Sequence, residues 1–407
     1  MTRVLHIIKA TRFSGAERHL MILLPALRQR GIDARLLILT EPDKPMDEIA
    51  AAAEAAGVPL RRMTIRRGLD LSAPPRLAAE IRAQRPDIVH THLIHADVFG
   101  FLGARQAGVA HVVSTRHNDD AFRRRWPLRL LHAWLWRRIS AGIVISHALA
   151  DFVRTVEFAP PERVHVIHYG MTSPRPSALD IELARRQLRL DLGNLPYETQ
   201  LIGIVSRLIE QKGIPYALEA FKLIADEFPA AHLVIAGDGD QRAALEAQAQ
   251  TMLLGDRVHF LGWREDAQAV LRGLDVLLMP SLWEGFGLTL LEAMGARLPV
   301  VASHVSAIPE IVVHQETGFL TAPRDPEAIA YALRLLLSDP LLCKHMGLNG
   351  EDRLEAQFSV ERMAEQTAAL YARVLGQQPR DALKDQPRPK EAEQQHREGQ
   401  DAPRDER

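Results

Sequence analysis

The sequence predicts an α/β protein made of two doubly wound, parallel-sheet domains that face each other. Three observations carry this. The chain has 407 residues, too many for one ordinary hydrophobic core. Short, near-continuous apolar runs alternate with longer helical patterns, which is how strands buried on both faces of a parallel sheet read. The alternation breaks once, at MTSPRPSALD (171–180), where prolines and small polar residues interrupt both periodicities.

In chain order, the first-half runs are VLHII (4–8), ARLLIL (34–39), DIVHT (87–91), HVVST (111–115), GIVIS (142–146) and VHVI (164–167). After the seam come LIGIVS (201–206), HLVIAG (232–237), RVHFLG (257–262), DVLLMP (275–280) and PVVAS (299–303). Each set is enough for its own sheet. The chain therefore divides into a Rossmann-like domain over 1–172 and a second over 173–358. A helix over 359–375 follows, which either domain can claim, packing back on the first being one option. From 376 to 407 the sequence is nearly all charge, Gln and Pro; it has too little apolar surface to offset ordering entropy and is expected to be disordered.

Composition excludes several classes. Apolar residues make up 47% and charged residues 25%, usual for a folded protein. A net charge of -1 argues against nucleic acid as a partner. Cys343, the one cysteine, has no partner for an internal disulfide and reads as core filler in a reducing compartment. MTRVLHIIKA reads as a first strand rather than a leader, and no apolar run reaches ~18 residues, so a cytoplasmic protein without a spanning helix is expected.

In open parallel sheets ligands bind beyond the carboxyl ends of the strands, so two facing sheets make a cleft lined by strand-to-helix loops. The most informative loop lies in SLWEGFGLTLLEAMGARLPVVAS (281–303), where Glu284 and Glu292 bracket Gly285 and Gly287. The glycines allow close backbone approach. The N–H groups of Gly287, Leu288 and Thr289 at the helix start suit a phosphate, and Glu292, inside the helix, can reach a ribose diol. Compensation of the helix dipole would explain the acids but not the glycines. In SRLIEQKGIPYALEAF, Arg207 and Lys212 share the loop after the second domain's first strand. Two cations there would neutralise a diphosphate leaving group; solvated surface charge is the alternative. The loop at Ser14, Gly15 and Ala16 is small enough to face a phosphate or a sugar, although it is not GxGxxG. His117, just after a strand in VVSTRHNDD, is a cleft residue, a cap or a surface residue.

Together SGAERHL, STRHND, SRLIEQKG, AGDGDQRAALE, FLGWREDAQAVLRGLDVLLMPS, EGFGLTLLEAMGARLPVVAS and SAIPEIVVHQETGFL resemble, in order and spacing, retaining glycosyltransferase family 4, with its GT-B architecture of two facing Rossmann-like domains. The resemblance spans most of residues 3–375 and includes the glutamate-x7-glutamate motif. It implies metal-independent, cofactor-free transfer of a sugar from a UDP-, GDP- or ADP-sugar to a glycan or lipid-linked acceptor. It also implies roles: Glu292 on the ribose; Arg207, Lys212 and the Gly287, Leu288 and Thr289 amides on the diphosphate; Glu284 and His117 on the transferred sugar. Gly15 would line the donor and acceptor side, with Trp263 and Arg264 where the backbone reads the base. The acceptor attacks the same face of an oxocarbenium-like centre, and Glu284 is not assigned as a nucleophile. The chain departs from the family at Ser14, where many relatives have glycine, at Arg297, where a small residue is common, and at HYGMT (168–172).

Other signals compete. DGD (238–240) spells a metal-binding Asp-x-Asp, but turn and N-cap duty is simpler. His90 and His92 share a strand face as metal ligands would, with His95 nearby, yet no further ligand set accompanies them. FRRRWPLRLLHAWLWRRIS (122–140) holds three of the chain's five tryptophans between arginines, which suits an anionic membrane surface; it also reads as an ordinary helix packing Leu131, Leu135 and Ile139 on the first sheet. The rival functions are a GT-B epimerase or phosphorylase, the latter needing a lysine for a cofactor Schiff base, and a non-catalytic nucleotide-sugar-binding module.

Overall fold

The computed structural model describes residues 1–11, 13–66, 70–119, 121–172 and 175–377; the expectation of a disordered tail falls on residues outside this range from 378 onward. The first sheet contains β1 (Arg3–Lys9), β2 (Asp33–Thr40), β3 (Leu60–Thr64), β4 (Ile88–His92), β5 (His111–Arg116), β6 (Ala141–Val144) and β7 (Val164–Val166). The second contains β8 (Gln200–Val205), β9 (Ala231–Ala236), β10 (Val258–Gly262), β11 (Val276–Met279), β12 (Val300–Ser303) and β13 (Gly318–Thr321). Their spatial orders are β3-β2-β1-β4-β5-β6-β7 and β10-β9-β8-β11-β12-β13, and all pairings within them are parallel.

Two strands go beyond the apolar-run reading. β3, sequence LRRMT, is an edge strand with Arg61 and Arg62 exposed, and charge on an edge blunts unwanted pairing. β13 is four residues long and opens with glycine. β3 gives no continuous apolar run because of its exposed arginines, and β13, although mostly buried, is too short to give one.

In both sheets the order reverses at the first strand, with β1 between β2 and β4 and β8 between β9 and β11. Ligand crevices open at such reversals, and the loops leaving β1, β8 and β11 carry Gly15, Lys212 and Glu284. The helix Val360–Val374 places Val360, Met363, Ala364, Leu370 and Tyr371 in the core that β1, β2 and the helix Gly15–Gln29 share. The chain returns to the first domain beside the interdomain segment, where the Met171 N–H donates to the Phe358 carbonyl at 2.8 Å.

Beneath the first domain's cleft surface lies a group of four buried charges. Arg116 is bound to Asp97 and, at 3.0 Å, to Glu157; Arg123 donates to Glu157 at 2.8 Å. Ser114 and Thr91 donate to Asp97 at 2.6 and 2.7 Å, and the Trp136 indole donates to Glu157 at 2.7 Å. Burial would raise the Glu157 carboxyl, but the Arg116 guanidinium and its other neighbours hold it at about 2. Breaking such a set strands a charge in a low-dielectric interior. Glu157→Gln should therefore lower first-domain stability by about 3–5 kcal/mol, read as a lower urea midpoint. In the wild type this contribution is present above the unfolded glutamate's ordinary value and is lost as pH falls toward about 2.

Candidate active site

The loop leaving β11 and the loop leaving β8 are tied together before any side chain meets. The Leu282 N–H donates to the Gln211 carbonyl at 2.8 Å, and the Gln211 amide donates to the Trp283 carbonyl at 3.0 Å. This brings Lys212, in the short turn Glu210–Lys212, onto Glu284 as an ion pair whose side chains are 13% and 11% exposed. Arg207 is exposed earlier on the same loop.

Gly285 meets the opposite domain. A Cβ there would lie 2.8 Å from both the His117 carbonyl oxygen and the Asn118 side-chain oxygen, so a larger residue would push the domains apart. Gly287 precedes the helix Leu288–Gly295 at φ 98°, a left-handed conformation that favours glycine. The helix that it opens begins with Leu288 and Thr289. Gly15 stands across the gap, a methyl group on it meeting Leu288 Cδ1 at 3.8 Å. Ser14 has its own reason: its N–H and hydroxyl donate to the buried Glu17 at 3.1 and 2.6 Å, anchoring the start of Gly15–Gln29.

The two acids look into different spaces. Glu284 and Gly285 line a cavity of about 310 Å³ with Asp119, Arg124, Asp151 and Ser306. Glu292 lines another of about 280 Å³ with Phe13, Arg18, Leu288 and Gln268. Glu292 accepts from Arg18 of the first domain at 3.1 Å; burial raises its carboxyl despite that cation.

His117 sits differently from a substrate-facing side chain. The residue is 4% exposed, with ring Nε2 3.0 Å from His92 Nδ1 and Nδ1 bonded to the Tyr169 hydroxyl. What it offers the cleft is its carbonyl. Its side chain is held inward by bonds to His92 and Tyr169. Trp263 is 70% exposed, and Arg264 is committed to Asp266 at 2.7 Å and Asp191 at 3.1 Å.

Several residues that shape the site lie outside the motif reading. Glu310 reaches across the domains to accept from the His147 and Ala148 N–H groups, both at 2.8 Å, at the start of the helix His147–Val156, and bonds His168 at 3.0 Å. Burial would raise its carboxyl, but these bonds hold it below the usual range. His147, His168 and Glu310 are close enough to share a metal ion, yet both Glu310 oxygens already accept hydrogen bonds. The Asp238 side chain accepts from Gly239 N–H at 2.7 Å and faces Arg242 at 3.4 Å, so DGD serves its turn.

The arrangement puts cations, helix-start amides and two carboxylates at the facing strand ends, which suits a molecule with an anionic centre flanked by hydroxyl-bearing rings. Comparison with known proteins identifies the family. Residues 13–172 match the family described as Glycosyltransferase Family 4, and residues 193–353 match Glycosyl transferases group 1. The chain is 30% identical over 380 residues to 2-deoxystreptamine glucosyltransferase of Streptomyces kanamyceticus, covering 87% of this chain and 97% of that one. It is 27% identical over 383 residues to the UDP-Gal:alpha-D-GlcNAc-diphosphoundecaprenol alpha-1,3-galactosyltransferase of Escherichia coli, covering 91% and 96%. In fold it is similar to Anabaena HepE, solved in complex with UDP and glucose, with a TM-score of 0.79 at 22% identity over 92% of this chain and 100% of that one. The chain thus belongs to the family 4 glycosyltransferases, with their two-domain GT-B fold.

Proposed function

We propose that the protein is a retaining, metal-independent glycosyltransferase that moves a sugar from a nucleotide-sugar donor to a glycan or lipid-linked acceptor at the inner face of a membrane, in cell-surface polysaccharide or glycolipid synthesis. The observation that carries the reading is the pairing at the cleft: Glu284 with Lys212 and Glu292 with Arg18, on either side of the Gly287 helix start. A diphosphate fits between them on the Leu288 and Thr289 amides, with Lys212 and Arg207 on its oxygens. Glu292 then takes the ribose hydroxyls, and Glu284 the transferred sugar beside the Asp119 and Arg124 cavity, which suits the acceptor. The exposed edge at Trp263 and Arg264 is the place for base recognition by backbone.

Under this reading the anomeric C–O bond breaks with its electrons passing to the diphosphate. The acceptor oxygen bonds to the same face of the sugar, and its proton goes to a diphosphate oxygen. The protein's contribution is charge stabilisation of the leaving group by fixed cations and amides, so a metal has no required role. UDP-containing complexes of the structural neighbours, and the UDP-Gal named in one relative, favour a UDP-sugar among the UDP, GDP and ADP possibilities.

The membrane component rests on one face of the first domain. Trp126, Leu130, Trp134, Phe122 and Phe158 are 63%, 50%, 37%, 39% and 39% exposed. Arg129 lies over Phe158 at 4.8 Å and Arg138 over Trp134 at 4.4 Å. Leu131 is partly buried, and Leu135, Trp136 and Ile139 are fully buried in the core below. Among the described residues no helix is long and apolar enough to cross a membrane.

Three outcomes test the reading. Without added metal, one nucleotide family among UDP, GDP and ADP should raise the melting temperature selectively, and Glu292→Ala should abolish most of that rise, since ligands that bind only the native state stabilise it by mass action; no shift with any nucleotide sinks the donor site. Lys212→Ala should lower kcat by about 10²–10³-fold, the usual loss for one electrostatic stabiliser of the transition state, in an assay of nucleoside diphosphate release; a wild-type rate removes Lys212 from the mechanism. Finally, the protein should sediment with phosphatidylglycerol-containing vesicles but not with phosphatidylcholine alone, and Trp126→Ser with Leu130→Ser should abolish this; equal binding by the double variant excludes this face.

A further inference from the structure

The buried histidines of the first domain form a connected line. From the Tyr169 hydroxyl the bonds run to His117 Nδ1, then from His117 Nε2 to His92 Nδ1 at 3.0 Å, and from His92 Nε2 to His6 Nδ1 at 3.1 Å. His6 Nε2 faces the Tyr371 hydroxyl at 3.4 Å. That hydroxyl bonds His90 Nδ1 at 2.6 Å, and His90 Nε2 meets Thr115 Oγ1 at 2.7 Å. The line thus joins the interdomain segment, β5, β4, β1 and the returning helix Val360–Val374, with no branch among the described residues.

His6, His90 and His92 are close enough to bind a metal, but all six of their ring nitrogens already have protein partners. Burial holds these rings, and His117, far below the ordinary histidine value, so each is neutral. A neutral imidazole bonded at both nitrogens donates at one and accepts at the other. The direction of donation at one ring therefore dictates it at the next. Burial, with Glu17 nearby, keeps the Tyr169 phenol protonated, so it has a proton to donate to His117 Nδ1. With that start, each later ring and the Tyr371 hydroxyl has one proton to give and one acceptor to receive it, as far as Thr115 Oγ1.

We propose that this line donates in one direction, from Tyr169 toward Thr115, and that His92 and His6 are positioning residues that hold His117 as its Nε2–H tautomer, fixing the His117–Asn118 main chain against Gly285. The Tyr169 ring also lies 5.2 Å from that of Phe286, so its bond to His117 ties the domain junction to the Glu284 loop. Only the kinetic consequence rests on the transferase reading; the tautomer does not.

The test is long-range proton–nitrogen NMR of the full chain labelled with ¹⁵N-histidine, with His117 assigned by its loss in His117→Gln. The wild type should show His117 as Nε2–H. In His6→Phe the His92 Nε2–H loses its acceptor. A buried N–H without a partner is the costlier defect, so the line reverses and His117 becomes Nδ1–H. His6→Asn offers an oxygen near the lost Nδ1 and keeps Nε2–H. Tyr371→Phe, which removes only a hydroxyl, should also reverse the line. The Asn118 and Gly285 amide resonances should move in the reversed variants and return in His6→Asn. In the transfer assay kcat should fall by up to about 10²-fold with donor KM little changed, as when a change away from the chemistry misplaces a positioned group. A wild-type Nδ1–H tautomer, or Nε2–H retained in both His6→Phe and Tyr371→Phe, overturns the directed line. Reversal with unmoved Asn118 and Gly285 amides overturns the positioning role. An inactive wild type would instead count against the transferase reading, and the NMR outcomes would still decide this one.

Discussion

The first domain's half of the cleft depends on a neutral knot of charges: two guanidiniums and two carboxylates that are almost wholly buried. Burying ions is expensive, and such a set seldom adds stability over a well-packed apolar one. What it supplies here is geometry. Arg116 ends β5 and Arg123 follows seven residues later, and both are clamped to the same Glu157. The intervening loop, which carries His117, Asn118 and Asp119, is pinned at both ends. The aromatic helix Trp126–Trp136 starts directly after it and is pinned in turn by the Trp136 indole on Glu157. One carboxylate therefore aligns a cleft loop with the exposed aromatic face.

The second domain is joined to this frame by complementary means. Glu310 caps a helix that belongs to its neighbour. Phe286, itself buried, inserts its ring among Tyr169, His168 and Phe358. Gly285 has no side chain where the opposing backbone passes. Polar capping, aromatic packing and close backbone approach all converge on the loop that holds Glu284, so its position reports the relation of the two sheets.

Much of this was legible in the sequence, for reasons that also mark where legibility ended. Central strands such as β1 and β4 are covered on both faces, so they read as unbroken apolar runs, whereas β3 carries exposed arginines and β13 is only four residues long. Glu284 and Glu292 stood out because glycines beside acids have few structural explanations. Their partners did not stand out equally: Lys212 lies 72 residues from Glu284 and Arg18 lies 274 from Glu292, distances that only tertiary folding closes. For His117 the position after a strand was informative, but whether a side chain turns toward solvent or core depends on the cluster behind it. His90 and His92 were read as sharing a face, as metal ligands would; the neighbours His6 and Tyr371 that occupy their nitrogens come from distant segments. In 122–140 the apolar spacing identified Leu131, Leu135 and Ile139 as inward, while the same spacing left Trp136 among the surface aromatics although it is fully buried.

The Lys212–Glu284 pair has a bearing on selectivity. Under the proposed assignment an internal carboxylate already satisfies the cation that would receive the donor, so loading the site is an exchange of partners. An inorganic anion that captured Lys212 would leave Glu284, 11% exposed, with a poorly solvated negative charge. A molecule that brings hydroxyl groups along with its anion compensates both halves of the broken pair. Competition from abundant simple phosphates is thereby discouraged before shape is consulted, and the chain achieves this with a contact between two of its own side chains.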